Sequence, residues 1–224
     1  MTEPAAAPAP RQAEVRVTEI FHSIQGESST VGQPTVFVRL TGCPLRCTYC
    51  DTAYAFSGGR LYTVAAIVAE VAGFDTRHVC VTGGEPLAQP ECRQLLQELC
   101  EAGHAVQLET SGALDISGLD PRVTVVMDLK TPSSGESHRN RQANLALLRA
   151  HDQVKFVVAD RADYEWSRSM LREHELAARC LVLLSPAWGR LEPRLLAEWL
   201  LADRLPACFQ VQLHKYLWGE TRGH

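Results

Sequence analysis

The sequence predicts an α/β fold in which short strands, most of them parallel, alternate with helices. Eight short runs rich in β-branched residues recur along the chain, and segments of helical periodicity separate several of them. Runs such as VTVVM and LVLL are apolar on both faces, as strands covered by helices are. The 46% hydrophobic and 21% charged residues are typical of a globular chain. An open doubly wound sheet and a barrel both fit this pattern, and in both the chemistry gathers at the carboxyl ends of the strands.

Each element follows from local composition. The β-branched runs predict strands at 15–20, 35–40, 78–82, 104–109, 123–129, 153–158, 180–184 and 208–213. Helical periodicity predicts helices at 63–73, 90–102, 139–150, 160–176 and 192–203. Thr63 and Asp160 are suited to cap two of these helices, and Pro90 and Pro193 suit a first turn. We expect a disordered Ala/Pro-rich tail at 1–13 and a single domain at 14–224.

The charge balance limits the partners of the chain. Lys and Arg number 22 and Asp and Glu 26, so the net charge is −4 and gives no general attraction to nucleic acid or to an anionic membrane. No apolar run approaches the roughly 18 residues of a spanning helix. The first residues lack the basic start and apolar core of a signal peptide. We therefore expect a cytoplasmic protein without a direct nucleic-acid or membrane partner.

Eight cysteines in a reducing compartment indicate metal or redox chemistry rather than disulfides. Cys43, Cys47 and Cys50 form a C-x3-C-x2-C loop after the predicted strand 35–40. The others lie singly among apolar neighbours, which predicts buried thiols. They are Cys80, Cys92, Cys100, Cys180 and Cys208.

Three clustered thiolates can be explained in more than one way. A structural zinc ion needs four protein ligands, usually from paired C-x2-C units, and no second pair exists, although His22 or a distant cysteine could complete the set. An ordinary electron-transfer cluster also takes four thiolates. Three thiolates on a cluster of four irons leave one iron open to a small molecule.

The cysteine spacing, with Tyr49 directly before Cys50, resembles the radical S-adenosylmethionine superfamily. The segment 82–86, TGGEP, follows the next predicted strand and resembles the glycine-rich stretch of that superfamily. Glycine there would let the backbone approach a ligand closely. The resemblance implies a partial parallel (β/α) barrel, a 4Fe-4S cluster and S-adenosylmethionine.

The segments before and after the cysteine loop indicate one family within this superfamily. Before the cysteines stand IFHSIQGES (20–28) and VFVRLTGC (36–43), directly after them comes DT (51–52), and VQLHKY lies at 211–216. Over about residues 15–220 the chain resembles the 7-carboxy-7-deazaguanine synthase family. That resemblance implies a lyase of queuosine biosynthesis that contracts the ring of 6-carboxy-5,6,7,8-tetrahydropterin. It also implies a homodimer reduced by an electron donor such as a flavodoxin or ferredoxin.

The resemblance also implies roles for individual residues. Cys43, Cys47 and Cys50 would hold the cluster, and Thr52 would bind Mg²⁺, which prefers oxygen ligands. S-adenosylmethionine would contact Tyr49, Cys50, Asp51, Gly84, Asp128, Leu129, Lys130, Ser133 or Ser134, and Ser185. The pterin would contact Ile24, Gln25, Gly26, Glu27, Arg39, Thr82, His214 and Glu220. Amide and carboxylate groups can hydrogen-bond the donor and acceptor edge of a pterin, and an arginine fork suits its carboxylate.

Three features depart from the family pattern. Ser28 stands where the family usually has glycine, MDLK (127–130) replaces the commoner SPK form, and the chain continues past the HK pair through 218–224. Two other functions share the cysteine loop. One is an activating enzyme for a glycyl-radical protein, which would not need Gln25, Glu27 and Arg39 in its pocket. The other is a non-catalytic zinc or iron-sulfur binding module.

Overall fold

A computed structural model describes residues 12–224, which include one nine-stranded sheet. The predicted tail at 1–13 lies outside the described residues except for Gln12 and Ala13, and the Ala13 carbonyl accepts a hydrogen bond from the Val64 N–H. The strands are β1 (Glu14–Ile24), β2 (Pro34–Leu40), β3 (Arg60–Thr63), β4 (His78–Gly83), β5 (Ala105–Thr110), β6 (Thr124–Asp128), β7 (Gln153–Val158), β8 (Leu181–Pro186) and β9 (Cys208–Phe209).

Five of the α-helices lie between strands in the chain, and α6 follows the last strand. They are α1 (Val64–Ala72), α2 (Cys92–Glu101), α3 (Arg161–Glu173), α4 (Leu176–Arg179), α5 (Pro193–Ala202) and α6 (Leu213–Trp218). The Thr63 and Asp160 side chains cap α1 and α3 as predicted, each accepting a hydrogen bond from a backbone N–H of the first turn. None of the helices in residues 12–224 is both long enough and apolar enough to span a bilayer.

The strand order β3-β1-β2-β4-β5-β6-β7-β8-β9 describes a sheet that does not close into a barrel. All pairs from β2 to β9 are parallel, whereas β1 runs antiparallel to both β2 and β3. The parallel part agrees with the predicted incomplete (β/α) barrel. The β1–β2 loop (residues 25–33) therefore lies at the end of the sheet where β1 finishes and β2 begins.

The two faces of the parallel strands differ in chemistry. On one face, residues such as Val81, Leu108 and Phe156 are fully buried in two apolar clusters that also contain side chains from the helices. On the other face, β5, β6 and β7 carry charged groups, with Asp128 directly opposite Lys155 in the β6–β7 register. Strand β6, predicted to be apolar on both faces, therefore ends in a charged residue on the face that lines the cavity, whereas residues 182–184 of β8 are all buried as predicted.

Two predicted elements were wrong in part. The segment 139–150 forms short 3-10 turns, Ser137–Arg139 and Gln142–Leu147, rather than a helix. Asn144 explains part of this, because its buried side chain donates hydrogen bonds to the carbonyls of Gly112 and Leu114. The strand predicted at 208–213 stops at Phe209, so His214 lies on α6 rather than at a strand end.

Four of the five scattered cysteines are buried, as predicted, but Cys208 is exposed. Cys208 belongs to β9, a strand of two residues at the edge of the sheet. An edge strand has a neighbour on one side only, so its side chains are less covered.

Candidate active site

A cavity of about 640 Å³ extends along the polar face of the parallel strands, from the β1–β2 loop at their amino ends to the loops at their carboxyl ends. Its wall includes residues from β2, β4, β5, β6 and β7, from the β1–β2 loop and from α6. The segment 219–224 borders it as well, and the Arg222 guanidinium carbon lies 4.1 Å from the centroid of the Tyr54 ring. The cavity therefore includes the carboxyl ends of the strands, where the fold class places chemistry.

The cysteine loop (residues 41–52) follows β2 and brings Cys43, Cys47 and Cys50 to the cavity wall. All three thiols are partly exposed and free of disulfides. Burial raises the pKa of the Cys47 thiol to about 11, so deprotonation there requires a metal or another strong positive partner. Within residues 12–224, no three His, Cys, Asp or Glu side chains converge as one metal ion requires. The arrangement thus gives a single zinc ion no support, while three thiolates can each bind a different iron of a cluster.

Gly84 allows the end of β4 to pack against the cysteine loop. A Cβ atom at this position would collide with the Gly42 carbonyl oxygen and the Cys43 Cβ. The Glu85 N–H also donates to the Gly42 carbonyl at 2.8 Å. Glycine is therefore required here for the close approach of two backbones.

We expect Gly84→Ala to displace the cysteine loop and to lower the iron bound per chain after anaerobic reconstitution. Gly103→Ala provides a control, since no atom lies within 4 Å of a Cβ there, although its positive φ adds some strain. Equal iron content in both variants would contradict the packing argument.

Glu85 organises the strand ends next to the cysteine loop. Its buried carboxylate accepts hydrogen bonds from the Thr110 hydroxyl at 2.8 Å and the Ser111 N–H at 2.7 Å. It also accepts from the Leu87 N–H at 3.0 Å. The glutamate of the TGGEP segment thereby ties the loop after β4 to the loop after β5.

Gln25, Gly26 and Glu27 of the β1–β2 loop border the cavity together with His214 of α6. A Cβ at Gly26 would overlap the His214 ring, and the Gly26 carbonyl accepts from the Leu213 N–H at 3.0 Å. Burial lowers the pKa of His214, which favours a neutral ring. Two distant segments of the chain thus form one polar wall.

Arg39 projects from β2 with a side chain that is 15% exposed. Its Nε donates to Glu19 at 2.7 Å, and Glu19 also accepts from the Tyr54 hydroxyl at 2.7 Å. The guanidinium carbon lies 5.8 Å from the centroid of the Phe21 ring and 5.9 Å from that of Tyr54. Burial alone would lower the pKa of Arg39, but Tyr54 and Glu19 raise it above its usual range. The side chain is a fixed cation whose Nη groups have no hydrogen-bond partner within the described residues.

Asp51 and Thr52 end the cysteine loop beside α6. The Thr52 hydroxyl donates to Asp51 Oδ1 at 2.9 Å, and Lys215 Nζ lies 2.9 Å from Asp51 Oδ2. Burial would raise the pKa of Asp51, but the charge and hydrogen bond of Lys215 lower it well below its usual range. The pair therefore presents an ionised carboxylate and a hydroxyl oxygen, both suited to a hard cation.

Three comparisons with known proteins agree with this geometry. The profile of the Radical SAM superfamily matches residues 37–141. A 7-carboxy-7-deazaguanine synthase from Chlorobaculum tepidum is 47% identical over 216 residues, covering 95% of this chain and 98% of its own. A synthase of the same name from Koribacter versatilis is 40% identical, covering 93% and 100%. The chain belongs to the 7-carboxy-7-deazaguanine synthase family.

Solved structures show the same fold. QueE from Escherichia coli matches with a TM-score of 0.71 at 23% identity, covering 90% of this chain and 95% of that one. TYW1 with a lysine-pyruvate adduct bound matches with a TM-score of 0.56 at 13% identity, covering 75% and 73%. The fold predicted for the synthase family is thereby confirmed.

Most residues implied by the synthase resemblance meet at the cavity. Those lining it are Ile24, Gln25, Gly26, Glu27, Arg39, Cys43, Cys47, Tyr49, Cys50, Asp51, Thr52, Thr82, Gly84, Asp128, Lys130, His214 and Glu220. Leu129, Ser133 and Ser185 are not part of the wall. Leu129 is fully buried in an apolar cluster, and Ser133 bonds to Asp160. Ser185 is 1% exposed and its hydroxyl has no partner in the described structure.

Sequence reasoning missed charged residues on the cavity wall of this synthase-family chain. Glu109 accepts hydrogen bonds from Gln25 Nε2 at 3.4 Å and from the Thr82 hydroxyl at 3.1 Å. Lys155 pairs with Glu27 and Asp128. Lys155 could have been found from the sequence, because it is the one charged residue in the apolar strand QVKFVV (153–158) and a charge in a buried strand usually has a partner.

Proposed function

We propose that the protein converts 6-carboxy-5,6,7,8-tetrahydropterin into 7-carboxy-7-deazaguanine by ring contraction with loss of ammonia, in queuosine biosynthesis. The observation that carries this proposal is the meeting of the three-cysteine loop, Arg39, Thr52 and the polar β1–β2 loop at one cavity. A cofactor site alone would not require this set of groups. Relatives that match over more than nine-tenths of the chain are named for the same product.

Membership in the family implies a 4Fe-4S cluster, S-adenosylmethionine and Mg²⁺, and the donors present fit them. The partly exposed thiols of Cys43, Cys47 and Cys50 would hold the cluster, and the Thr52 hydroxyl would bind Mg²⁺. When bound, the cluster and S-adenosylmethionine would supply the electron and the radical chemistry that the ring contraction needs.

The chain itself binds and orients the pterin. Arg39 offers two Nη groups to the substrate carboxylate, while Glu19 fixes the plane of the guanidinium. The amide-like edge of the pterin is hydrogen-bonded by the amide and carboxylate groups of Gln25, Glu27 and Glu109. This fixed polar wall orients the ring without reorganisation during the reaction.

We place the protein in the cytoplasm, because free thiols and a reduced cluster require a reducing compartment. A flavodoxin or ferredoxin is the proposed electron donor, and the family resemblance supports a homodimer. Analytical ultracentrifugation of the reconstituted protein tests the dimer.

An anaerobic assay tests the proposed function. The reconstituted protein is mixed with dithionite, S-adenosylmethionine, Mg²⁺ and the carboxytetrahydropterin, and the products are identified by mass spectrometry. We expect 7-carboxy-7-deazaguanine and ammonia in equal amounts. Cleavage of S-adenosylmethionine without either product would overturn the proposal, and one zinc per chain without brown colour would favour a binding module.

A metal titration tests Thr52 separately. We expect Thr52→Ala to raise the Mg²⁺ concentration needed for activity or to remove the stimulation by Mg²⁺, because a methyl group cannot coordinate a hard cation. Thr48→Ala is a matched control, since Thr48 lies in the same loop but bonds to the Ser133 carbonyl. An unchanged Mg²⁺ titration in Thr52→Ala would refute the ligand role.

A further inference from the structure

Lys155 is a buried cation in the middle of β7, with a side chain that is 10% exposed. It faces the cavity, and its direct neighbour on β6 is Asp128. Its Nζ lies 2.5 Å from Glu27 Oε2 and 3.6 Å from Asp128 Oδ2. One ammonium group therefore joins the β1–β2 loop to the end of β6.

Each of the two carboxylates has one oxygen that is buried without a hydrogen-bond partner. These atoms are Glu27 Oε1 and Asp128 Oδ1, and both residues line the cavity. A buried acceptor without a donor is costly, so it marks a place where a bound molecule can supply one. Lys155 thus contacts both carboxylates, and each carboxylate keeps one free oxygen. Glu27 is one of the residues predicted to bind the pterin, and Asp128 is one of those predicted to bind S-adenosylmethionine.

Lys130 provides a natural comparison. Its Nζ lies 2.9 Å from Asp128 Oδ2, and its side chain is 15% exposed. Within the described residues, however, Glu27 has no ion pair other than that with Lys155. Loss of Lys130 would leave Asp128 with Lys155, whereas loss of Lys155 would leave Glu27 buried and unpaired.

We propose that Lys155 is a positioning residue that holds Glu27 and Asp128 so that their free oxygens accept N–H or O–H donors from the pterin and from S-adenosylmethionine. Because Glu27 and Asp128 both contact Lys155, the position of the acceptor in the pterin site depends on the position of the acceptor in the S-adenosylmethionine site. The inference rests on the proposed function for the identity of the two ligands.

Equilibrium binding to the reconstituted protein without reductant tests the proposal. We expect Lys155→Met to weaken binding of the carboxytetrahydropterin by about 30-fold or more and to weaken S-adenosylmethionine binding as well. Lys130→Met should weaken S-adenosylmethionine binding and leave pterin binding within about threefold of wild type. Equal pterin affinity in the two variants would overturn the role of Lys155.

A double variant separates positioning from folding. Lys155→Met leaves a buried unpaired carboxylate and should lower the melting temperature, whereas Lys155→Met with Glu27→Gln removes both charges and should recover most of that loss. Pterin affinity should stay low in the double variant, because a neutral amide oxygen accepts more weakly than a carboxylate and no longer has the Lys155 ammonium to hold it in place. Recovery of affinity together with stability would show a merely structural role. A wild-type protein that binds the pterin without converting it would overturn the proposed function, while these dissociation constants would still test Lys155.

Discussion

Each of the variants Cys43→Ala, Cys47→Ala and Cys50→Ala should lose turnover completely and retain little iron. All three thiols border one cavity on a loop that is held by a backbone hydrogen bond from Glu85, just after β4, to Gly42. Removing one thiolate exposes a second iron of the cluster and leaves only two protein ligands, so the cluster becomes unstable. Iron and sulfide content after anaerobic reconstitution, with the absorption of the brown protein, measures the loss.

Cys100→Ala is the matched control for these variants. Cys100 is a buried thiol near the end of α2, in an apolar cluster away from the cavity wall. It should keep full iron content and turnover. A loop variant with both wild-type iron content and wild-type activity would rule out the cluster assignment.

Arg39→Ala should lower kcat/KM for the carboxytetrahydropterin by roughly 30-fold to several thousandfold. Truncating one partner of a buried charged pair typically costs roughly 2–5 kcal/mol, and each factor of ten corresponds to about 1.4 kcal/mol. Arg39 also holds Glu19, so the variant leaves that carboxylate with Tyr54 alone. Steady-state kinetics with dithionite as reductant measures the change.

Substitutions around Arg39 refine this result. Arg39→Lys should recover only part of the activity, because a point charge cannot reproduce the bidentate fork. Glu19→Gln keeps the guanidinium but weakens its anchor, so a smaller effect on KM is expected. Iron content and S-adenosylmethionine affinity should stay near wild type in all three variants. Normal turnover of the carboxypterin by Arg39→Ala would exclude the proposed carboxylate site.

The predicted fold agrees with the structure where a strand has a strong hydrophobic signal. Seven of the eight strands predicted from β-branched runs are present and bury residues in the apolar clusters with the helices, whereas the eighth, predicted at 208–213, is reduced to Cys208–Phe209. The strand β3 was not predicted, since it has four residues at the edge of the sheet and no alternating pattern. The helix predicted at 139–150 fails for a tertiary reason, as Asn144 bonds to carbonyls of the loop after β5. Periodicity within a segment cannot reveal such a partner.

Sequence motifs predicted those site residues that are near one another in the chain. The cysteine loop and the TGGEP segment were recognisable because their spacing is local. Lys155 was missed, because its function depends on a register with Asp128 and a contact with Glu27, which is 128 residues away in the chain. Lys215 contacts Asp51 from α6, a helix that was not predicted because the expected strand ended at 213.

The contacts of the β1–β2 loop also determine when the pocket can form during folding. The Ser28 N–H donates to Gln210, 182 residues further along the chain, and the Ser29 N–H donates to Gln153, 124 residues further along. Such distant pairings form slowly, because a long loop must close before they contribute stability. During synthesis this loop emerges early but can be fixed only after Gln210 has left the ribosome. The β1–β2 loop, which carries the proposed pterin-binding residues Gln25 and Glu27, should therefore become ordered late in folding, after β2 has paired with β4.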